Sequence, residues 1–180
     1  MTVAENPGGP TTLRVPEGDN RERLVCLSCG FVLYRNPKVV VGAVIEHDGR
    51  VLLCRRAIDP RKGFWTIPAG YLELAETAAE GARREAREEA GAEIVLDGML
   101  AVYSIPRISQ VQVIYAARLV RPDFAPGVET LEARLAAWAD IPWAELAFPS
   151  VRWALEHWRE RATQGDTTTR TNPPGETGDT

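Results

Sequence analysis

Positive charge is not in surplus in this chain, cysteine is scarce, and no apolar run is long. Its 180 residues hold 21 Lys and Arg against 25 Asp and Glu, a net charge of −4. That balance excludes a general nucleic-acid-binding face, which needs clustered basic residues. A nucleotide substrate stays open, because a bound metal ion can supply positive charge locally. No apolar stretch approaches the roughly 20 residues a helix needs to cross a bilayer. Residues 1–20 carry proline, glycine and acids where a secretory leader carries an apolar run. With only three cysteines, that pattern leads us to expect a reduced, cytoplasmic protein with no membrane partner. No internal repeat is visible. The length fits one domain with extensions, since domains commonly run about 100–150 residues.

Residues 1–36 are rich in proline, glycine and charge and read as irregular, with a knuckle at Cys26-Leu27-Ser28-Cys29-Gly30. A strand is expected over 39–46, with Gly42 inside it. Asp48-Gly49 is a hairpin turn signal, and 51–55 returns as the partner strand. Residues 59–63 read as a loop and 64–67 as a short strand ending at Pro68. A helix is expected over 76–90. Ala75, Ala79, Ala82, Ala86 and Ala90 give it a small-residue stripe that can lie close to a sheet, and Gly91 fits its C-terminal cap. One or two strands follow over 94–105, then strands over 110–119 and 131–138. A second helix over 150–162 buries Val151, Ala154, Leu155 and Trp158. Residues 163–180 hold almost nothing apolar, so a disordered tail is expected. Strands with two helices imply an α/β fold, a mixed sheet covered on both faces. The expected division is 1–36, a domain over 37–162, and the tail.

The most informative stretch runs from Gly70 to Ala92. It reads Gly70, five residues, Glu76, seven residues, then Arg84-Glu85-Ala86-Arg87-Glu88-Glu89-Ala90-Gly91-Ala92. Glu85, Glu88 and Glu89 fall on one helix face, where each like-charge pair costs roughly 0.2–0.5 kcal/mol. Acids on a helix are usually a solvated face. Three kept together in this pattern point instead to a held cation, and all-oxygen ligands suit Mg2+ bridging carboxylates and phosphates.

This segment resembles the Nudix box, the signature of hydrolases acting on a nucleoside diphosphate linked to another group. Every fixed position matches, with Ala86 and Ala92 at the aliphatic places. The resemblance extends from about Val15 to about Trp158. Val15-Pro16-Glu17-Gly18-Asp19, the cysteine knuckle, Arg35-Asn36-Pro37-Lys38 and Ala147-Phe148-Pro149-Ser150 are similar to a subgroup of ADP-ribose or FAD pyrophosphatases. It implies an alpha/beta/alpha sandwich with the box as a loop–helix–loop. It implies a small-molecule nucleotide substrate, Mg2+ as cofactor with Mn2+ as a substitute, and a homodimer as the common state of relatives. The products from ADP-ribose are AMP and ribose 5-phosphate, and from FAD, AMP and FMN. The alternatives are an NADH pyrophosphatase, a nucleoside-triphosphate cleaning hydrolase, and a non-catalytic nucleotide-sugar sensor.

Glu85, Glu88 and Glu89 are the expected metal shell, with Glu85 and Glu89 the strongest ligands by resemblance. A main-chain carbonyl at Ala69 or Gly70 completes it on the same ground. Arg84 is expected to orient a glutamate by a bidentate hydrogen bond. Glu76 is either a structural cap or partner of Arg84, or a ligand. Gly70 reads as a tight turn. Glu129 and Glu132 are the candidate general bases. Arg55, Phe64, Trp65 and Tyr71 are the substrate candidates, with Tyr103, Arg56 and Arg107 behind them: rings to stack on a heterocycle, guanidinium groups to hold phosphate. Cys26-x-x-Cys29 is half of a zinc ribbon. A structural zinc takes four ligands, and the positions the resemblance assigns to the other pair hold Ala4 and Pro7, so zinc is not expected.

Overall fold

The structure, a computed structural model, describes residues 9–178. The chain divides into two compact units, Met1–Asn36 and Pro37–Thr180. In the first, β1 (Thr12–Arg14), β2 (Arg23–Val25) and β3 (Val32–Leu33) form an antiparallel sheet in that order. This corrects the irregular reading of residues 9–36: strands of three, three and two residues are too short to show a period-two pattern. The knuckle is the turn between β2 and β3. There the Gly30 amide donates to the Cys26 carbonyl and the Cys26 amide to the Phe31 carbonyl, both at 2.8 Å. Ala4 and Pro7 lie outside the described residues.

The second unit is a mixed seven-stranded sheet between two helices. β4 (Lys38–His47) and β5 (Arg50–Arg56) form a hairpin, and Asp48 and Gly49 both take positive φ, as a two-residue hairpin turn demands. β6 (Trp65–Thr66) pairs with β5, and β7 (Ala69–Tyr71) with β4. β8 (Ile94–Ile105) is one strand with two register shifts, antiparallel to β9 (Gln110–Leu119). β9 runs parallel to β4, and β10 (Thr130–Ala137) borders β5, giving the order β10-β5-β4-β9-β8.

Alternation along the strands builds a core on each face. Val44, Val51 and Leu53 join Val151, Ala154, Leu155 and Trp158 of α2 (Pro149–Gln164) on one side. Ala43, Ile45, Leu52 and Cys54 meet Ala86 and Ala90 of α1 (Ala78–Ala90) on the other. Each fully buried Val, Leu or Ile contributes about 1.5–3 kcal/mol, and the alanines let α1 approach closely. α1 starts later than the sequence suggests. Thr77 caps it through a capping box with Glu80, whose amide donates to the Thr77 hydroxyl at 3.2 Å while the Thr77 amide donates to the Glu80 carboxylate at 2.8 Å. Gly91, at φ 58°, closes the other end.

The expectation of a disordered tail fails for residues 165–178. α2 runs to Gln164, and the chain beyond it turns back along β8, forming a parallel bridge between Arg170 and Ala101. Polar residues suffice there because their partners are backbone groups of an edge strand rather than a core. Among the described residues no helix is long and apolar enough to cross a membrane.

Candidate active site

A cavity of about 910 Å³ opens where β7, the C-terminal half of α1 and the loop before β10 meet. Glu85 and Glu89 face it from α1, one turn apart and only 7% and 9% exposed. Arg84 organises the carboxylates around it. Its Nε and Nη2 grip Glu76 at 3.1 and 2.7 Å, and Nη2 also donates to the Tyr71 carbonyl at 2.9 Å. Nη1 donates to Glu85 at 2.7 Å and to Glu88 at 2.8 Å. Glu76 is thus the bidentate partner of Arg84, just before the N-cap, and its second duty is to accept from the Glu73 amide at 2.7 Å. These bonds, Arg84 first, hold the Glu76 carboxyl below its ordinary range.

Glu89 is held from the other side, where the Ala69 amide donates to it at 3.1 Å. Burial pushes its carboxyl up to about 7, against the pull of that amide, and the charge of Glu85 adds to the rise. Glu85 moves in the same direction, also through burial, with Arg84 opposing. Gly70 is not the tight turn expected. It sits inside β7 without a positive φ, and a Cβ on it would fall on the Glu85 carboxylate. Glycine is needed there for space, not for conformation. Gly127 plays a similar part: its amide donates to the Glu89 carbonyl at 3.0 Å, and a Cβ would strike the Glu88 carbonyl. That contact brings the loop carrying Glu129 to the cavity.

Of the two candidate bases, Glu129 lines the cavity and its charge bears on both Glu85 and Glu89. Glu132 does not line it. It lies within β10, opposite Arg55. Strand alternation also corrects the arginine assignment. Arg56 lines the cavity, stacked over Phe148 at 5.3 Å, while Arg55 donates to the Gly63 carbonyl at 2.8 Å outside it. Trp65 is core, 4% exposed and under the Arg134 guanidinium, and its neighbour Thr66 faces the cavity instead. Phe64 stacks under Arg61 off the cavity wall. Tyr103 is buried, its hydroxyl 2.8 Å from His157 Nδ1. Tyr71 and Arg107 do line the cavity, and Lys38 lies over the Tyr71 ring at 5.1 Å. Sequence reasoning missed Ile105, Ile114, Phe148 and Val151 on the wall, because an apolar side chain carries no mark of whether it faces a cavity or a packed core.

The donors fit a hard divalent cation in part. Two buried carboxylates whose charged forms are disfavoured by burial are what such an ion would neutralise. The expected shell of three is not assembled: Glu88 turns to Arg84, its side chain 59% exposed, and among the described residues no three His, Cys, Asp or Glu side chains converge. In the first unit, Cys26 lies 3.0 Å from the Ser28 hydroxyl. That contact, then the Cys29 amide and thiol, brings the Cys26 thiol down to about 7.

The model of the NUDIX domain matches residues 35–162, and a zinc-ribbon model described as Nudix N-terminal matches residues 6–35. An ADP-ribose pyrophosphatase of Methanocaldococcus jannaschii is 32% identical over 122 residues, 66% of this chain and 71% of that protein. A CTP pyrophosphohydrolase of Escherichia coli is 30% identical over 111 residues, 61% of this chain and 80% of that protein. A solved NUDIX hydrolase from Nitrosomonas europaea is 42% identical and superposes with a TM-score of 0.86, covering 96% of this chain and 99% of the other.

Proposed function

This chain belongs to the Nudix family and is a Nudix hydrolase, and from that we propose that it cleaves the diphosphate of ADP-ribose or FAD with the aid of Mg2+. The observation that carries this reading is the buried Glu85–Glu89 pair, fixed between Arg84 and the Ala69 amide at the floor of a cavity large enough for a dinucleotide fragment. Glu85 and Glu89, with the Ala69 carbonyl, are the residues we assign to Mg2+, and Glu88 joins them when Arg84 releases it. When bound, the ion neutralises phosphate charge and lowers the pKa of a coordinated water.

Arg84 keeps Glu85 aimed into the cavity, and Gly70 leaves the space that the carboxylate occupies. Glu129 takes the proton from the attacking water. The water oxygen bonds to one phosphorus, the bridging P–O bond breaks, and the bridging oxygen leaves on the other phosphate. The products are AMP and ribose 5-phosphate, or AMP and FMN. Arg56 and Arg107 face the cavity where they can bind phosphate oxygens, and Tyr71 offers a ring to a heterocycle.

The relative named a CTP pyrophosphohydrolase supports a second reading, hydrolysis of a nucleoside triphosphate. Chromatography of products after incubation with Mg2+ and, separately, ADP-ribose, FAD, NADH and CTP tests both. AMP with ribose 5-phosphate or FMN, absent in Glu89→Gln, is the expected result. CMP from CTP alone would move the assignment to triphosphates. Binding without turnover of any of them would replace the enzyme by a sensor.

A further inference from the structure

The residues after α2 make contacts that the reaction above does not use. β8 is the outer strand of the sheet, with one edge open to pairing. Arg170 docks on that edge: its amide donates to the Leu100 carbonyl, and its carbonyl accepts from the Val102 amide, both at 2.9 Å. Two residues on, the Asn172 side chain copies a strand's peptide group. Its Nδ2 donates to the Ser104 carbonyl and its Oδ1 accepts from the Ser104 amide, both at 2.8 Å. Nδ2 also donates to the Glu176 carbonyl at 3.1 Å, holding the turn that follows. That turn delivers Gly178, at φ 77°, against Ile105 and Trp153, where a Cβ would press on the Ile105 side chain.

Gly178 lines the same cavity as Glu85 and Glu89. Around it the wall is apolar, formed by Ile105, Ile114, Phe148 and Val151. The carboxylates Glu85, Glu88 and Glu89 gather at the α1 side, while Arg56, stacked over Phe148, and Arg107, two residues after Ile105, also line the cavity. A ligand whose diphosphate lies at the carboxylates therefore meets two chemistries, and the apolar wall suits a flat heterocycle rather than a bare sugar phosphate.

We propose that residues 165–178 are a substrate-binding element that completes the heterocycle-binding wall of the cavity. The assignment rests on the diphosphate reading given above. Asn172 is a positioning residue in it: it touches no substrate but sets where Gly178 sits.

Calorimetry with Mg2+ present tests this, using AMP and ribose 5-phosphate as ligands. The proteins are the full chain, Asn172→Ala, and a chain ending at Gly165, which keeps the α2 cap. AMP should bind about five-fold or more weakly in both variants, the order of one ring contact. Ribose 5-phosphate should change by less than about two-fold. Unchanged AMP binding in both variants, equal weakening of the two ligands, or no AMP binding by the full chain overturns the assignment. If AMP binding depends on the tail but no diphosphate is hydrolysed, the hydrolase reading falls and the tail assignment stands. Hydrolysis with tail-independent AMP binding overturns the tail assignment alone.

Discussion

Glu89 makes the metal-free fold pH-sensitive in a direction opposite to ordinary acid denaturation. Its carboxyl rises from 4.5 to about 7 on folding, chiefly through burial. Between those values the folded chain holds a proton that the unfolded chain has released. The stability it contributes is complete below pH 4.5 and is lost as pH rises through 7. From pH 5 to pH 8 the loss is about 2–3 kcal/mol, or roughly 5–10 °C in unfolding temperature for a chain of this size. The perturbation is that pH change in the presence of a chelator, applied to the parent and to Glu89→Gln. Gln keeps an acceptor for the Ala69 amide but has no charge to bury. Glu85 rises like Glu89, and His157 falls through burial and so stabilises at higher pH. His157 is common to the two proteins and cancels, so the difference between them reports Glu89 together with its coupling to Glu85. Urea unfolding at each pH should show the parent losing about 2–3 kcal/mol relative to the variant. Parallel pH profiles, within about 0.5 kcal/mol, would refute the burial argument. Mg2+ at pH 8 should restore the parent and leave the variant nearly unmoved.

Arg84→Met strips buried Glu85 of its guanidinium, and urea unfolding at pH 8 should show a loss of about 2–3 kcal/mol, the low side of a broken buried pair because Arg84 reaches solvent. Glu88→Gln, at the exposed end of the same network, should cost less than about 1 kcal/mol in that assay. Gly70→Ala pushes the Glu85 carboxylate from its place. In steady-state kinetics kcat/KM should fall roughly 100-fold while circular dichroism stays that of the parent. Glu129→Gln should lower kcat by about 100-fold or more, and Glu132→Gln should leave it within about two-fold, since that side chain does not reach the cavity.

Much of this architecture was legible in the sequence. β4, β5, β9 and β10 stand within about two residues of where apolar patterning placed them; β4 and β5 bury both faces over most of their length. The spacing of Glu85 and Glu89 already put them on one side of α1. Details that depend on two distant segments meeting were not legible. Nothing local tells that Gly70 must be small for Glu85, or which of Arg55 and Arg56 faces the cavity. Trp65 packs in the hydrophobic core and Thr66, equally buried, lines the cavity because pairing with β5 sets which way each points. The tail was misread for the same reason: Asn172 finds its partners on Ser104, 68 residues away, and no composition rule sees that pairing.

The most direct test of the central claim is kcat for ADP-ribose hydrolysis with Mg2+ in the parent, Glu85→Gln, Glu89→Gln and Glu88→Gln, each checked for folding. Glu85→Gln and Glu89→Gln should each lose roughly 100-fold or more, and Glu88→Gln clearly less. Full activity in both buried variants, or a greater loss at the exposed Glu88 than at either, would contradict the assignment of the chemistry to the buried pair.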